Sequence, residues 1–181
     1  MQNPFHKIKN YAILLLSLGK GEWILKICCF TGHRVIPGDI AVALTRSLDQ
    51  KLEALAKEGY TEFRTGGARG FDTLAALRVL ALKERHPDCR LHLILPCRDQ
   101  NKLWKDGERE LFEYILSKAD EVDYIALSYT PTCMHTRNRA LVDGSDCCIA
   151  FLQRNGGGTL YTCSYALKQK VELINLADEF D

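Results

Sequence analysis

From Ile24 to Asn175 apolar runs of strand length alternate with longer segments of helical periodicity, and several of the runs stop at glycine or proline. This alternation limits the fold more than any other feature. Strand and helix repeated with short turns build a mostly parallel sheet with helices on both faces. The chain is therefore expected to be α/β, Rossmann-like and doubly wound. Ile24–Thr31 is a largely apolar run stopped by Gly32, as expected of a central strand covered on both faces. Residues 40–58 carry Ile40, Leu44, Leu48, Leu52 and Leu55 at helical spacing, and Gly59 stops them. Thr61–Thr65 is a short strand running into Gly66-Gly67, and residues 71–85 are a helix ending before Pro87. Arg90–Leu95 is a strand ended by Pro96. It is followed by a helix over 103–118, with Leu111, Phe112, Ile115 and Leu116 inward, and a strand over Glu121–Leu127. A short helix over Met134–Val142, a strand over Cys147–Leu152, a helix over 159–169 and a strand over Val171–Asn175 complete the series.

A length of 181 residues fits one domain, taken as 23–181, with residues 1–22 as an N-terminal extension. The extension holds the apolar run Tyr11–Leu16, far short of the roughly 20 residues a bilayer span needs, and no small-x-small cleavage site follows it. No membrane association and a cytoplasmic location are expected. Lys and Arg number 24 against 23 Asp and Glu, which argues against a broad, sequence-independent grip on DNA or RNA. Nucleic acid is accordingly not an expected partner, although a local basic patch is compatible with the composition. Eight cysteines include the adjacent pairs Cys28-Cys29 and Cys147-Cys148 inside apolar runs, where neighbours point to opposite faces as small buried hydrophobes rather than disulfide halves. No CxxC or Cys/His zinc spacing occurs, so no metal site is expected. His33, His86, His92 and His135 are scattered and read as structural or surface residues. Cys97 stands next to Arg98, which would lower its pKa, but no partner base is evident.

In open parallel sheets ligands bind beyond the carboxyl ends of the strands, near the reversal of strand order, which narrows the search to four clusters. Thr31, Gly32 and Arg34 follow the first strand. Gly66, Gly67, Arg69, Gly70 and Asp72 open a helix whose free N–H groups suit an anion, and Asp72 suits ribose hydroxyls. The bland reading of this cluster is a helix-entry turn with a first-turn acid. Asn155, Gly156, Gly157, Gly158 and Thr159 form a second glycine-rich turn, an anion nest with Thr159 as cap or phosphate ligand, against a flexible capped loop as the alternative. Arg137, Asn138 and Arg139 open a further helix, where spacing aims only one of the two arginines at the site. Trp104, near Gln100 and Lys102, either stacks on a base or packs in the core.

These residues together carry a resemblance. Phe30–Arg34, Gly66–Asp72, Gln100 with Trp104, Arg137-Asn138 through Val142-Asp143 and Ser145-Asp146, and Gly157–Thr159 with Tyr161 resemble the YpsA-like branch of the SLOG superfamily, over about residues 24–175. The resemblance implies a Rossmann-like fold, binding or sensing of nucleotide-derived ligands such as ADP-ribose, NAD or nucleoside phosphates, no bound cofactor beyond such a ligand, and a homo-oligomer. The superfamily includes the LOG phosphoribohydrolases, whose Met-His-x-Arg motif is matched by Met134–Arg137. Their Pro-Gly-Gly-x-Gly-Thr-x-x-Glu motif is matched only in part. Setting Thr159 on its Thr puts Gly156 and Gly158 on two glycines, Arg154 and Asn155 on the Pro and first Gly, and Thr162 on the glutamate. N-glycosidic cleavage builds positive charge that a carboxylate stabilises, and Thr162 supplies none. The leading expectation is therefore a nucleotide-ligand binding protein. A nucleotide N-glycosidase or phosphoribohydrolase-type hydrolase using Asp72 and Arg137 is the alternative, and a DNA-handling protein is the second alternative.

Overall fold

The structure, a computed structural model, describes residues 25–154 and 156–180. Expectations for residues 1–22, including the apolar run Tyr11–Leu16, and for Asn155 lie outside the described residues. Six strands, β1 (Lys26–Gly32), β2 (Tyr60–Thr65), β3 (Arg90–Cys97), β4 (Glu121–Ala126), β5 (Cys147–Phe151) and β6 (Glu172–Asn175), form one sheet in the order β4-β3-β2-β1-β5-β6. Every neighbouring pair is parallel. The helices are α1 (Ala41–Lys57), α2 (Phe71–Lys83), α3 (Asp106–Lys118), α4 (Cys133–Val142) and α5 (Gly157–Lys168). This is the expected doubly wound Rossmann-like α/β fold. The order runs outward from β1 in both directions, so the reversal lies between β1 and β5.

Two cores follow from this winding. On one face α1, α2 and α3 bury Leu44, Leu48, Leu52, Ala75, Val79, Phe112 and Ile115 against Phe30, Phe63 and Leu93 of the sheet. On the other, α4 and α5 bury Leu141, Val142 and Ala166 against Cys29, Ile94 and Cys148. The adjacent cysteines obey the strand period: Cys28 pairs in register with Cys147 and joins the first core, and Cys29 pairs with Cys148 and joins the second. All eight thiols are free and buried.

Element ends shift where tertiary partners outweigh local signals. β3 runs through Pro96 to Cys97 because β2 has already ended at Thr65, opposite Leu93. Leu95 and Cys97 pair with β4, so the N–H that Pro96 lacks would face no strand. α3 starts at Asp106, not 103, because Lys105 caps it and the Glu108 carboxylate accepts the Lys105 N–H at 3.2 Å. Trp104 therefore lies in the preceding turn, with its ring edge-on to Phe112. Leu111, expected inward, is partly exposed. α5 starts at Gly157 rather than Thr159, so two glycines form its first turn.

Candidate functional site

A cleft of ≈680 Å³ lies over the carboxyl ends of β1 and β5, at the reversal of strand order. Its walls come from Thr31–Arg34, from Ala68 and Asp72, from Met134, His135, Arg137 and Asn138, and from Gly156–Thr159. A second hollow of ≈370 Å³ continues from it, sharing Arg34, Ala68 and Met134 and adding Arg69, Gln100, Lys102, Trp104 and Tyr129. The fold thus brings the four clusters to one place in two lobes.

The two glycine turns do different things. In the first, the glycines make room for the protein itself. A Cβ on Gly66 would come within 1.3 Å of Arg137 Nη1, and one on Gly32 would meet Phe71. The N–H of Phe71 donates to the His33 carbonyl at 3.1 Å, and the Ala68 N–H donates to Asp72 Oδ2 at 3.2 Å. The first turn is thus largely closed on its own structure. In the second, among the described residues, nothing lies within 4 Å of the Gly156 and Gly157 Cβ positions, and no side chain caps α5. Thr159 does not cap it. The amino end of α5, with the positive end of its dipole, lines the cleft through Gly156–Thr159.

Opposite stands Arg137, 7 % exposed, whose Nη1 donates to Asp72 Oδ2 at 3.3 Å. Its buried Nε has no acceptor among the described residues, so the guanidinium is not saturated by the protein. Burial pushes the Asp72 carboxyl up in pKa, against the pull of Arg137, the Ala68 N–H and Arg34. Asp72 thus holds Arg137 and the first loop through Oδ2, while its side chain also lines the cleft. Arg139 points away and donates to the Tyr161 hydroxyl at 2.6 Å, so one of the two arginines faces the cleft, as the spacing predicts. Asn138 Nδ2 reaches the Gly158 carbonyl at 3.5 Å and ties α4 to α5. Thr162 is buried and donates to the same carbonyl at 2.8 Å, so no carboxylate occupies that position.

In the smaller lobe, Arg69 pairs with Glu108 at 3.3 Å and lies 5.8 Å from the Trp104 ring centroid. Trp104 both packs on Phe112 and lines the hollow. Cys97 also lines it, but burial and Asp99 push its thiol up to about 11. The expected activation by Arg98 does not occur, because that guanidinium lies over the Tyr124 ring instead, at 5.0 Å.

His33 is the site residue the sequence reading passes over. Its Nε2 accepts the backbone N–H groups of Gln153 and Arg154 at 3.0 and 3.1 Å. Its place directly after Gly32 at the end of the first strand is the signal that marks it. A grouping that no sequence spacing reveals lies near the opposite ends of the strands. The donor atoms of His92, Glu121 and Asp123 fall within 4.8 Å of one another. His92 bridges Glu62 and Asp123 there, at 3.1 and 3.2 Å.

Residues 39–176, most of the chain, match the model of the YspA SLOG family. The chain belongs to that family. Relatives of this YspA-family chain include UPF0398 proteins of Bacillus thuringiensis strain Al Hakam and Bacillus cereus strain AH187. Each is 26 % identical over 167 residues, covering 86 % of this chain and 90 % of the relative. Among solved structures, DNA processing protein A from Helicobacter pylori superposes with a TM-score of 0.59 at 18 % identity. Its counterpart from Streptococcus pneumoniae superposes with 0.58 at 15 % identity. They cover 82 % and 83 % of this chain, which spans 63 % and 50 % of theirs. The structure of TM1055 superposes with 0.52 at 18 % identity, covering 86 % of this chain and 80 % of its own. The Helicobacter pylori protein is described as binding single-stranded DNA. Net charge averages over the surface of this chain, whereas Arg34, Arg69, Lys102 and Arg137 line one cleft. Among the described residues, no helix is long and apolar enough to cross a membrane.

Proposed function

We propose that this YspA-family protein binds a phosphorylated, nucleotide-type ligand in the two-lobed cleft. One observation carries the reading: the amino end of α5, uncapped among the described residues and open at Gly156 and Gly157, lines the same cleft as buried Arg137, whose Nε has no acceptor there. Together they supply fixed N–H donors, a helix dipole and a forked cation, the complement of a phosphate. The adjoining lobe offers Trp104 and Tyr129 to a base and Lys102 to further negative charge. Binding rather than hydrolysis is favoured because Thr162, bonded to the Gly158 carbonyl, stands where a glycosidase of this kind would need a carboxylate.

A thermal-shift panel tests this with nucleoside monophosphates, ADP-ribose and NAD. A ligand that binds only the folded state raises the melting temperature, by about 2.7 kcal/mol of stability at a hundredfold excess over Kd. No shift with any of them removes the reading, and release of free base in the same mixtures favours the hydrolase instead. A second reading, single-stranded DNA, is favoured by the basic and aromatic lining of the smaller lobe and by the fold of the DNA-processing neighbours. Salt-sensitive binding of an oligonucleotide, competing with the nucleotides, supports it.

A further inference from the structure

His33 joins three of the elements that shape the cleft. Its own N–H donates to the Phe151 carbonyl at the end of β5, and its carbonyl accepts the Phe71 N–H at the start of α2. Its ring, edge-on to Phe151, accepts two N–H groups from the β5–α5 loop that leads into Gly156 and Gly157. Backbone N–H groups can only donate, so Nε2 must carry its lone pair. The ring is then neutral, with its proton on Nδ1. A second ring proton would sit where both bonds are made and turn two attractions into repulsions.

Among the described residues of the cleft, the charged groups around the ring do not compensate such a proton. Arg34 adjoins His33 on its own turn, Arg154 stands on the loop it holds, and Arg137 and His135 of α4 share the cleft. The acid of the cleft, Asp72 on α2, is held by Ala68 and Arg137. Burial and Arg154 both lower the pKa of the ring, in agreement with this geometry.

We propose that neutral His33 is the positioning residue of the anion-binding loop, and that protonation of its ring releases the loop and weakens anion binding. The inference rests on the reading of the cleft as an anion site. It makes the ligand response of this protein pH-dependent through a residue that holds the loop rather than through the ligand.

The test titrates the full chain with ADP-ribose, whose doubly esterified pyrophosphate takes up no proton across the window, between about pH 8 and about pH 5, below the ordinary imidazole range. Affinity is expected to fall about tenfold or more towards the acid end, the scale of two lost hydrogen bonds. His33→Gln, which offers an amide oxygen near the Nε2 position and does not titrate, is expected to flatten that dependence. A flat wild-type profile, tighter binding in acid, or an unchanged profile in His33→Gln overturns the inference. Absence of ADP-ribose binding at about pH 8 counts against the reading of the cleft. The latch is then judged on the ligand-free wild-type protein by nitrogen NMR, which also serves if His33→Gln fails to fold. The expected result is an Nδ1–H ring at neutral pH, with the Gln153 and Arg154 amides shifting as His33 titrates. Amides indifferent to that titration contradict the proposal.

Discussion

At the scale of single residues, two buried charges explain much of the site. Arg137 and Asp72 are each nearly inaccessible and neutralise one another. Removing one partner leaves an uncompensated buried charge. Arg137→Met is expected to cost about 3–5 kcal/mol in urea denaturation, and the double variant with Asp72→Leu markedly less. A double-variant cost equal to the sum of the Arg137→Met and Asp72→Leu costs would mean that the pair is not coupled. His92 gives a pH signature. Burial opposes its charge, but Glu62, Glu121 and Asp123 outweigh this and its pKa is raised, while His92 and Arg64 draw Glu62 down against the effect of burial. A raised base contributes stability that is full below its unfolded value, about 6.5, and is lost as pH rises through the folded value. The depressed Glu62 loses its share as pH falls through its own folded value. The stability gap between wild type and His92→Gln should therefore be widest in mildly acidic solution and narrow towards alkaline pH; a gap that widens with pH would refute the assignment. The sequence locates Arg137 and Asp72 as site residues. It conceals that they bond each other, because 65 positions separate them. Gly66 illustrates the same limit: its sequence suggests close approach of a ligand, and the structure fills the space with Arg137.

Among the elements, helix α3 touches the lining of the smaller lobe through its bond to Arg69. Its first-turn Glu108 caps Lys105 and also holds Arg69 of the α2 loop. The pair is more than a third exposed on both sides, so its contribution to stability is small. Glu108→Gln should barely change the denaturation midpoint yet raise affinity for anionic nucleotides severalfold by freeing Arg69, an effect of about 1 kcal/mol. Unchanged affinity would place Arg69 outside the ligand's reach. The periodicity of the helices and the apolar runs of the strands are legible because each buries one side of itself, as Leu44, Leu48 and Leu52 do in α1. Starts are less legible. α3 begins late because Glu108 reaches back to Lys105, and α5 begins early on two glycines whose helical propensity is poor.

For the whole molecule, topology makes the site. Six parallel strands ordered outward from β1 leave a crevice beyond β1 and β5, where the chain leaves them for helices on opposite faces, and the loops beyond both strands open into it. Alternation of strand and helix along the chain indicates such a sheet. Strand order, which decides that the second glycine turn faces the arginine of α4, depends on long-range pairing that no local pattern encodes. The same holds for the basic lining of the cleft, hidden by a net charge of +1.

Isothermal titration of ADP-ribose into wild type and Gly158→Asp tests anion binding at the amino end of α5 most directly. Among the described residues a Cβ at Gly158 meets Asn138 Nδ2 in ordinary contact at 3.5 Å, and a carboxylate in the first turn suits the helix dipole. Folding stability should hold or rise slightly while the carboxylate repels the ligand phosphate. Micromolar-range binding by the wild type, weakened about a hundredfold or more in a stably folded Gly158→Asp, is the expected result. Equal binding by both proteins would contradict it.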